Sequence, residues 1–230
     1  MVPAWGKRPA CPNFGNRDGC PAKHMLYARF IKRGCDIVAA AAILILALPL
    51  LALVWIAVRL ALGAPVLYFS ERAGKGGRPF LIAKFRSMTN ATGPDGTLLP
   101  DAERLTPFGR LLRRTSLDEL PQLASVLTGS MSMIGPRPLP LRYLSRYSPR
   151  QARRLEALPG LTGWAQIHGR NTLDWPTRLE LDVQYVDMLN RWYAPFLDLW
   201  IALSTVLQLA WQALTGRGIA APGSATMTEL

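Results

Sequence analysis

The 230-residue sequence is short of cysteine and short of acid. Its three cysteines, Cys11, Cys20 and Cys35, are odd in number and show no pairing pattern, which argues against a disulfide framework. A metal clip drawn from Cys11, Cys20 and His24 in CPNFGNRDGCPAKH fits no standard zinc spacing and lacks a second close cysteine pair. The bland reading of that segment is a reduced tail. Fifteen Asp and Glu stand against 27 Lys and Arg, a formal net charge of +12, so the expected partners are anionic: phosphates, acidic lipid or nucleic acid. Arginine supplies most of the positive charge, and its planar fork suits phosphate and carboxylate. No recognisable nucleic-acid-binding motif or aromatic stacking platform accompanies it, because the aromatics cluster in apolar segments. Nucleic acid is therefore not an expected partner. No internal repeat occurs. Half of the residues are apolar, which rules out wholesale disorder.

Charge is missing altogether from Ile37 to Val58, IVAAAAILILALPLLALVWIAV. As a helix this run reaches about 33 Å, enough to cross a bilayer core. It is too long, and starts too far in, for a secretory signal peptide. A buried helix of a soluble protein is the alternative. Both flanks are basic: Arg29, Lys32 and Arg33 precede the run, and Arg59, Arg72 and Lys75 follow it. The positive-inside rule places both in the cytoplasm, which a single span cannot satisfy. Pro49 lies near the centre and clashes with the carbonyl of Ile45, so a bend is expected there. On these residues alone, a span and a re-entrant helix broken at Leu48–Pro49 both remain open.

Two β-prone runs, Val66–Arg72 and Pro79–Phe85, flank the glycine-rich Gly74–Gly77 and read as a hairpin. Asn90–Asp101 is a loop by composition. Thr106 caps a helix whose first position is Pro107. Ser148 and Pro149 repeat that pattern. A further helix opens in TSLDELPQL and runs to about Leu127, ended by Thr128–Gly129. SMIGPRPLP is expected to be irregular, and LPGLTGWAQIHGRN a loop with strand-like patches. Leu173–Asn190 suits a helix. The last apolar stretch holds Pro195 and Asp198, which favours a helix lying in the membrane interface with Trp192, Tyr193, Trp200 and Trp211 as anchors. A core helix is the other reading.

TSLDELPQL, Thr115–Leu123, places two adjacent acids in a basic chain. The structural reading is a capping box of Ser116 with Glu119, and Asp118 in a first turn where the helix dipole favours an anion. Pro121 unsettles it, since a helix begun at Ser116 puts the ring past the first turn; Ser116 remains the expected cap. The chemical reading draws on Lys84, Arg86, Arg110, Arg113, Arg114 and Arg137 as anion binders. A carboxylate at a helix start near cations is expected to stay ionised. An ionised Asp can attack phosphorus, and a neighbouring Glu can hold a hard divalent ion together with substrate phosphates.

Four longer stretches settle between these readings: RPFLIAKFRSM, ERLTPFGRLLRRTSLDELPQL, GSMSMIGPRP and LPGLTGWAQIHGRN, with a weaker RLELDVQYV. Through them the chain resembles the bacterial sugar transferases of the monotopic phosphoglycosyl transferase family, from Lys32 to about Gly216. The resemblance implies transfer of a sugar 1-phosphate from a UDP-sugar to membrane polyprenyl (undecaprenyl) phosphate with release of UMP, as the first membrane step of exopolysaccharide, capsule or O-antigen synthesis. It implies Asp118 as nucleophile forming a covalent aspartyl-phosphosugar, Glu119 as the residue positioning Mg²⁺, and Arg137, Arg113, Lys84 and Arg86 as phosphate binders. Asp182 is an active-site candidate of unspecified role. It also implies a re-entrant helix broken at Leu48 and Pro49, and a monotopic protein of the bacterial inner membrane with its catalytic domain facing the cytoplasm. Ser70 departs from the glutamine many members carry before ERAG.

The expected fold is α+β and mainly helical: a re-entrant membrane helix, a small β-hairpin, cytoplasmic catalytic helices and amphipathic interfacial helices. The expected divisions are a basic tail 1–30, the membrane helix 31–63, the catalytic domain 64–216 and a tail 217–230. Anionic inner-membrane lipid is an expected partner, with Arg142, Arg146, Arg150, Arg153 and Arg154 either touching it or forming a solvated basic face. A second copy of the chain is a further candidate partner.

Overall fold

The structure, a computed structural model, describes residues 27–169 and 173–215. Cys11, Cys20 and His24, most of the basic tail and the tail after Gly216 lie outside the described residues. A π-turn at Tyr27–Ile31 leads into the helix α1, Lys32–Leu62, about 46 Å long at 1.5 Å per residue. The expected break at Leu48–Pro49 does not end the helix, which continues through Pro49. A proline ring removes one donor, and a long helix can carry that loss with a bend.

One face of α1 packs on the rest of the chain in two places. Ala40 and Leu44 sit against Ile82, Leu123, Val126 and Met131. Leu51, Val54, Val58 and Leu62 sit against Val66, Phe85 and Leu112. The three- and four-residue spacing is that of one helical stripe. Between the two contacts Leu48 and Leu50 are exposed, as are Ile45, Leu46, Leu53, Ile56 and Leu60 elsewhere on the helix. Such a continuous apolar surface exceeds what a water-soluble monomer carries, and it rules out a buried core helix.

Polar ties fasten both ends of α1. Near its start the Lys32 ammonium donates to Asp198 at 2.8 Å. Asp36 accepts from the Ser132 hydroxyl at 2.6 Å and the Met133 amide at 3.1 Å. Arg33 donates to the carbonyls of Val126 and Leu127, at a helix end where a cation is favoured. At the far end Arg86 donates to the carbonyls of Leu62, Gly63 and Ala64.

The hairpin forms as expected. Strands β1 (Leu67–Ala73) and β2 (Pro79–Phe85) pair antiparallel, with Tyr68 opposite Lys84 and Arg72 opposite Phe80. Gly76 and Gly77 carry the left-handed backbone of the turn, φ 66° and 73°. A short helix α2 (Asp101–Arg104) precedes α3 (Pro107–Thr115), whose Thr106 cap accepts from the Gly109 amide at 2.9 Å. A 3₁₀ turn, Leu117–Gln122, runs into α4 (Leu123–Thr128), closed by Gly129 at φ 93°.

SMIGPRPLP is not wholly irregular. Ser132–Ile134 is a strand, β3, and it pairs in parallel with β4, Gly160–Thr162. The pairing rests on glycine: a Cβ at Gly160 would lie 2.1 Å from the Gly135 nitrogen. Alternation signals are too short to read in three-residue strands. Between them lie α5 (Pro149–Ala152), with a Ser148–Gln151 capping box, and a 3₁₀ turn, Arg153–Glu156. The described residues close with α6 (Trp164–Ile167), α7 (Trp175–Leu189) and α8 (Ala194–Thr215). The whole is mainly helical, as expected. α8 buries Ala194, Asp198 and Ile201 on one side and exposes Phe196, Leu199, Trp200, Leu203 and Leu207 on the other. Both α1 and α8 are long and apolar enough to cross a membrane by length and composition.

The approach of α3 to the end of β2 depends on one missing methyl group. A Cβ at Gly109 would stand 1.8 Å from the Ser87 carbonyl oxygen. Gly109→Ala is expected to destabilise the protein by about 2 kcal/mol or more, as forced overpacking does. Gly34→Ala, with nothing within 4 Å, is expected to leave it unharmed. Thermal unfolding of detergent-solubilised protein, followed by tryptophan fluorescence, checks the pair; equal midpoints would refute the close approach.

Candidate active site

Three segments far apart in sequence meet around one carboxylate. Strand β2 presents Lys84, the 3₁₀ turn presents Asp118 and Glu119, and the loop after β3 presents Arg137. Glu119 Oε1 accepts from Lys84 Nζ at 2.6 Å and from Arg137 Nη2 at 2.8 Å. Burial pushes the Glu119 carboxyl up, but Arg137 and Lys84 outweigh it and hold it well below the usual carboxylate range.

Asp118 is treated differently. It is 7% exposed, and its carboxylate accepts no hydrogen bond from the described residues. Burial, and then the neighbouring Glu119, push it up to about 6; Lys84, Arg113 and Arg137 pull the other way. The cations favour the ionised form as expected, but desolvation is the larger effect, so the carboxyl is raised rather than lowered. At pH 7 the ionised form still prevails, on the order of ten to one. Two adjacent acids thus hold protons with very different strength, an arrangement that marks separate roles.

The cap is also not as expected. Ser116 is left-handed at φ 56° and its side chain makes no capping hydrogen bond. It ends α3, and its carbonyl accepts from the Glu119 amide at 3.1 Å. The capping box fails because the Glu119 side chain is held by Lys84 and Arg137. Pro121 fits the 3₁₀ turn, and α-helical geometry begins only at Leu123. Ser116 is the one non-glycine residue with positive φ among those described, two positions before Asp118. Such backbone outliers cluster at functional sites.

The remaining expected residues divide. The Arg113 Nε donates to Ser87 Oγ at 2.9 Å, and its charge acts on Asp118. Arg137 is fixed from behind: Asp182 is buried and receives Arg154 at 2.7 and 3.0 Å, while Arg154 also donates to the Arg137 carbonyl at 2.5 Å. Asp182 thus meets Arg137 only through Arg154. Arg86 is a correction. The chain leaves β2 at Phe85, and the Arg86 guanidinium goes to the end of α1 instead of to a phosphate. The five-arginine surface needs correction too. Arg154 is buried, Arg150 pairs with Glu180, and Arg153 pairs with Glu156 and Asp187.

Two residues were missed. Arg72 and Gln122 line a polar cleft with Lys84, Arg137 and Ile82. Both were legible in principle. The hairpin register puts Arg72 on the same face as Lys84, four pairs along. In a 3₁₀ turn, residues three apart eclipse, so Gln122 follows Glu119.

Among the described residues no group of three or more His, Cys, Asp or Glu gathers to hold a metal. Glu119 Oε2 and the Asp118 carboxylate nevertheless lack hydrogen-bond partners among those residues. One or two carboxylates completed by substrate phosphate oxygens are a common Mg²⁺ setting, and this pair fits it.

The chain belongs to the bacterial sugar transferase family, whose profile matches residues 27–212. It is 52% identical over 149 residues to EpsL of Bacillus subtilis, an uncharacterized sugar transferase, covering 65% of this chain and 72% of that protein. It is 41% identical over 188 residues to the UDP-glucose:undecaprenyl-phosphate glucose-1-phosphate transferase of Caulobacter vibrioides, covering 77% of this chain and 69% of that one. It is 40% identical over 182 residues to the undecaprenyl-phosphate galactose phosphotransferase of Salmonella typhimurium, covering 72% of this chain but only 38% of that protein.

The Asp118 carboxyl predicts a measurable stability effect. Its folded-state value of about 6 lies above the ordinary 3.8. Its ionisation therefore costs nothing below about pH 4 and destabilises the fold increasingly up to about pH 6, by about 3 kcal/mol in all. Asp118→Asn carries no such cost. Chelator-treated protein without donor should be more stable as the variant by that order at pH 8, with the gain shrinking towards pH 4. Denaturation midpoints at both pH values check this, and a variant no more stable than wild type at pH 8 contradicts it.

Proposed function

We propose that the chain is a UDP-sugar:polyprenyl-phosphate sugar-1-phosphate transferase, with undecaprenyl phosphate as acceptor, acting at the first membrane step of exopolysaccharide, capsule or O-antigen synthesis. The observation that carries it is Asp118: a buried carboxylate without hydrogen bonds among the described residues, beside a second acid that absorbs the neighbouring cations. A largely buried carboxylate without donors among the described residues keeps its nucleophilicity. An Asp118 oxygen attacks the β-phosphorus of the donor, forming a P–O bond. The bond to the bridging oxygen breaks and its electron pair leaves with UMP. A phosphate oxygen of the acceptor then attacks the same phosphorus, the aspartyl–phosphorus bond breaks, and the Asp118 carboxylate is restored.

Glu119 holds Lys84 and Arg137 in place before substrate arrives, so their charge meets the transferring phosphoryl group without reorganisation. Arg113 adds charge from the open side. Glu119 Oε2 would hold Mg²⁺, which when bound supplies further neutralisation of phosphate charge.

The ties at both ends of α1 support a re-entrant anchor. Lys32, Arg33 and Asp36 at one end and Leu62–Ala64 at the other are fastened to the same body, which favours both ends on one membrane face with Leu48–Pro49 as the deepest point. The protein would then be monotopic in the bacterial inner membrane, residues 31–63 re-entrant and 64–216 catalytic on the cytoplasmic side. The exposed Trp192, just before α8, and Trp200 and Trp211 on it would lie at headgroup level on the interfacial segment.

Incubation with UDP-sugar and Mg²⁺ but without acceptor should leave a phosphosugar on Asp118, seen by peptide mass spectrometry. Absence of that adduct, with an Asp118→Asn variant that still turns over, would refute the covalent route. In a cysteine-free background, Ile31→Cys and Leu60→Cys should both label from the cytoplasmic face of membrane vesicles; labelling from opposite faces would refute re-entry.

A further inference from the structure

We infer that the cleft beside Glu119 is a single phosphomonoester pocket, in which Arg72 and Gln122 hold the phosphate of UMP in the first half-reaction and that of the lipid acceptor in the second. The inference rests on the covalent route proposed above.

Buried donors in proteins are nearly always satisfied, yet the cleft has two that are not. Arg72 Nε and Gln122 Nε2 are buried without a hydrogen-bond partner among the described residues, and Gln122 is only 3% exposed. Both residues line the same cleft, next to Lys84 and Arg137. Those two cations are already shared by Glu119. Arg72 has no ion pair with a carboxylate among the described residues, so the cleft keeps uncompensated positive charge beside donors that await acceptors. A forked guanidinium and an amide suit the oxygens of a phosphate. Apolar ligands would leave both donors unmet.

One pocket can serve both half-reactions because of in-line geometry. The leaving oxygen departs opposite the attacking Asp118 oxygen, and in the second step the acceptor oxygen arrives along that same line. UMP and the polyprenyl phosphate are both phosphate monoesters. They differ only in what is esterified, a nucleoside or an isoprenoid, so the same donors meet the same group twice. Glu119 and Gln122 lie three residues apart on one side of the 3₁₀ turn, which sets the monoester site next to the paired cations.

The test uses the full chain in nanodiscs containing anionic lipid, with Arg72→Met, Gln122→Leu and Arg72→Lys. Two constants are measured: Ki for UMP as product inhibitor, and KM for undecaprenyl phosphate. Each hydrogen bond to a charged group contributes enough that Arg72→Met should raise both constants together, by about tenfold or more. Gln122→Leu should raise both less, and Arg72→Lys should recover part of the loss. Thermal midpoints should hold, because neither donor has a partner to lose among the described residues. A rise in Ki alone, or in KM alone, overturns the shared pocket. Lower kcat and lower midpoints with both constants unmoved also overturn it, assigning the residues to the fold. The covalent route is judged separately, by the wild-type Asp118 adduct; its absence there removes that route whatever the variants do.

Discussion

The site is held together by one carboxylate oxygen. Glu119 Oε1 takes Lys84 from the hairpin and Arg137 from the loop after β3, and so joins three segments that share no secondary structure. Removing it would leave two cations facing each other in a partly buried space, which is costly when charges lose their partner. The supports behind each cation make sense in this light. Lys84 is set by a seven-pair hairpin register. Arg137 is set by a strand pairing that tolerates only glycine at Gly160, and by the Arg154–Asp182 pair bonded to its carbonyl.

With Glu119 absorbing the cations, its neighbour is left under-compensated. Side by side in sequence, the two carboxyls differ because one is bonded and the other merely buried. A 3₁₀ turn is suited to this. It is tighter than an α-helix, and it turns consecutive side chains to different sides, so Glu119 can reach the cations while Asp118 stays apart. The left-handed Ser116 makes the sharp entry from α3 that starts this turn.

Much of this was legible from the residues. Two β-prone runs and the glycines between them located the hairpin, Thr106–Pro107 and Ser148–Pro149 located two helix starts, and the uncharged run located α1. The acid pair and Arg137 were singled out and the chain does bring them together. What could not be read is where competing partners would go. Ser116 and Glu119 match a capping box, but the pattern carries no information about Lys84 and Arg137, which win the Glu119 carboxylate. Arg86 looks like an anion binder until the end of α1 is placed beside it. Arg154 looks like surface charge until Asp182 is buried against it. These outcomes depend on contacts between residues tens of positions apart, which local patterns do not encode. Arg72 and Gln122 were missed for a different reason: their spacing signal was present, but it gains meaning only once the strand register and the type of turn are known.

The ties at the start of α1 carry a consequence for the order in which the protein is made. Lys32 and Asp36 are buried, and their partners lie 166 and 96 residues further along the chain, at Asp198 and Ser132. When the apolar helix leaves the ribosome those partners have not been synthesised. Until then Lys32 and Asp36 have only each other, 4.0 Å apart one helical turn away, and their buried partners arrive with β3 and α8. Tyr185 and Tyr27 converge on the same Asp198, so the final helix completes the first. The helix α1 is seated only once α8 is in place, and a chain cut short of α8 would leave Lys32 without its buried carboxylate partner.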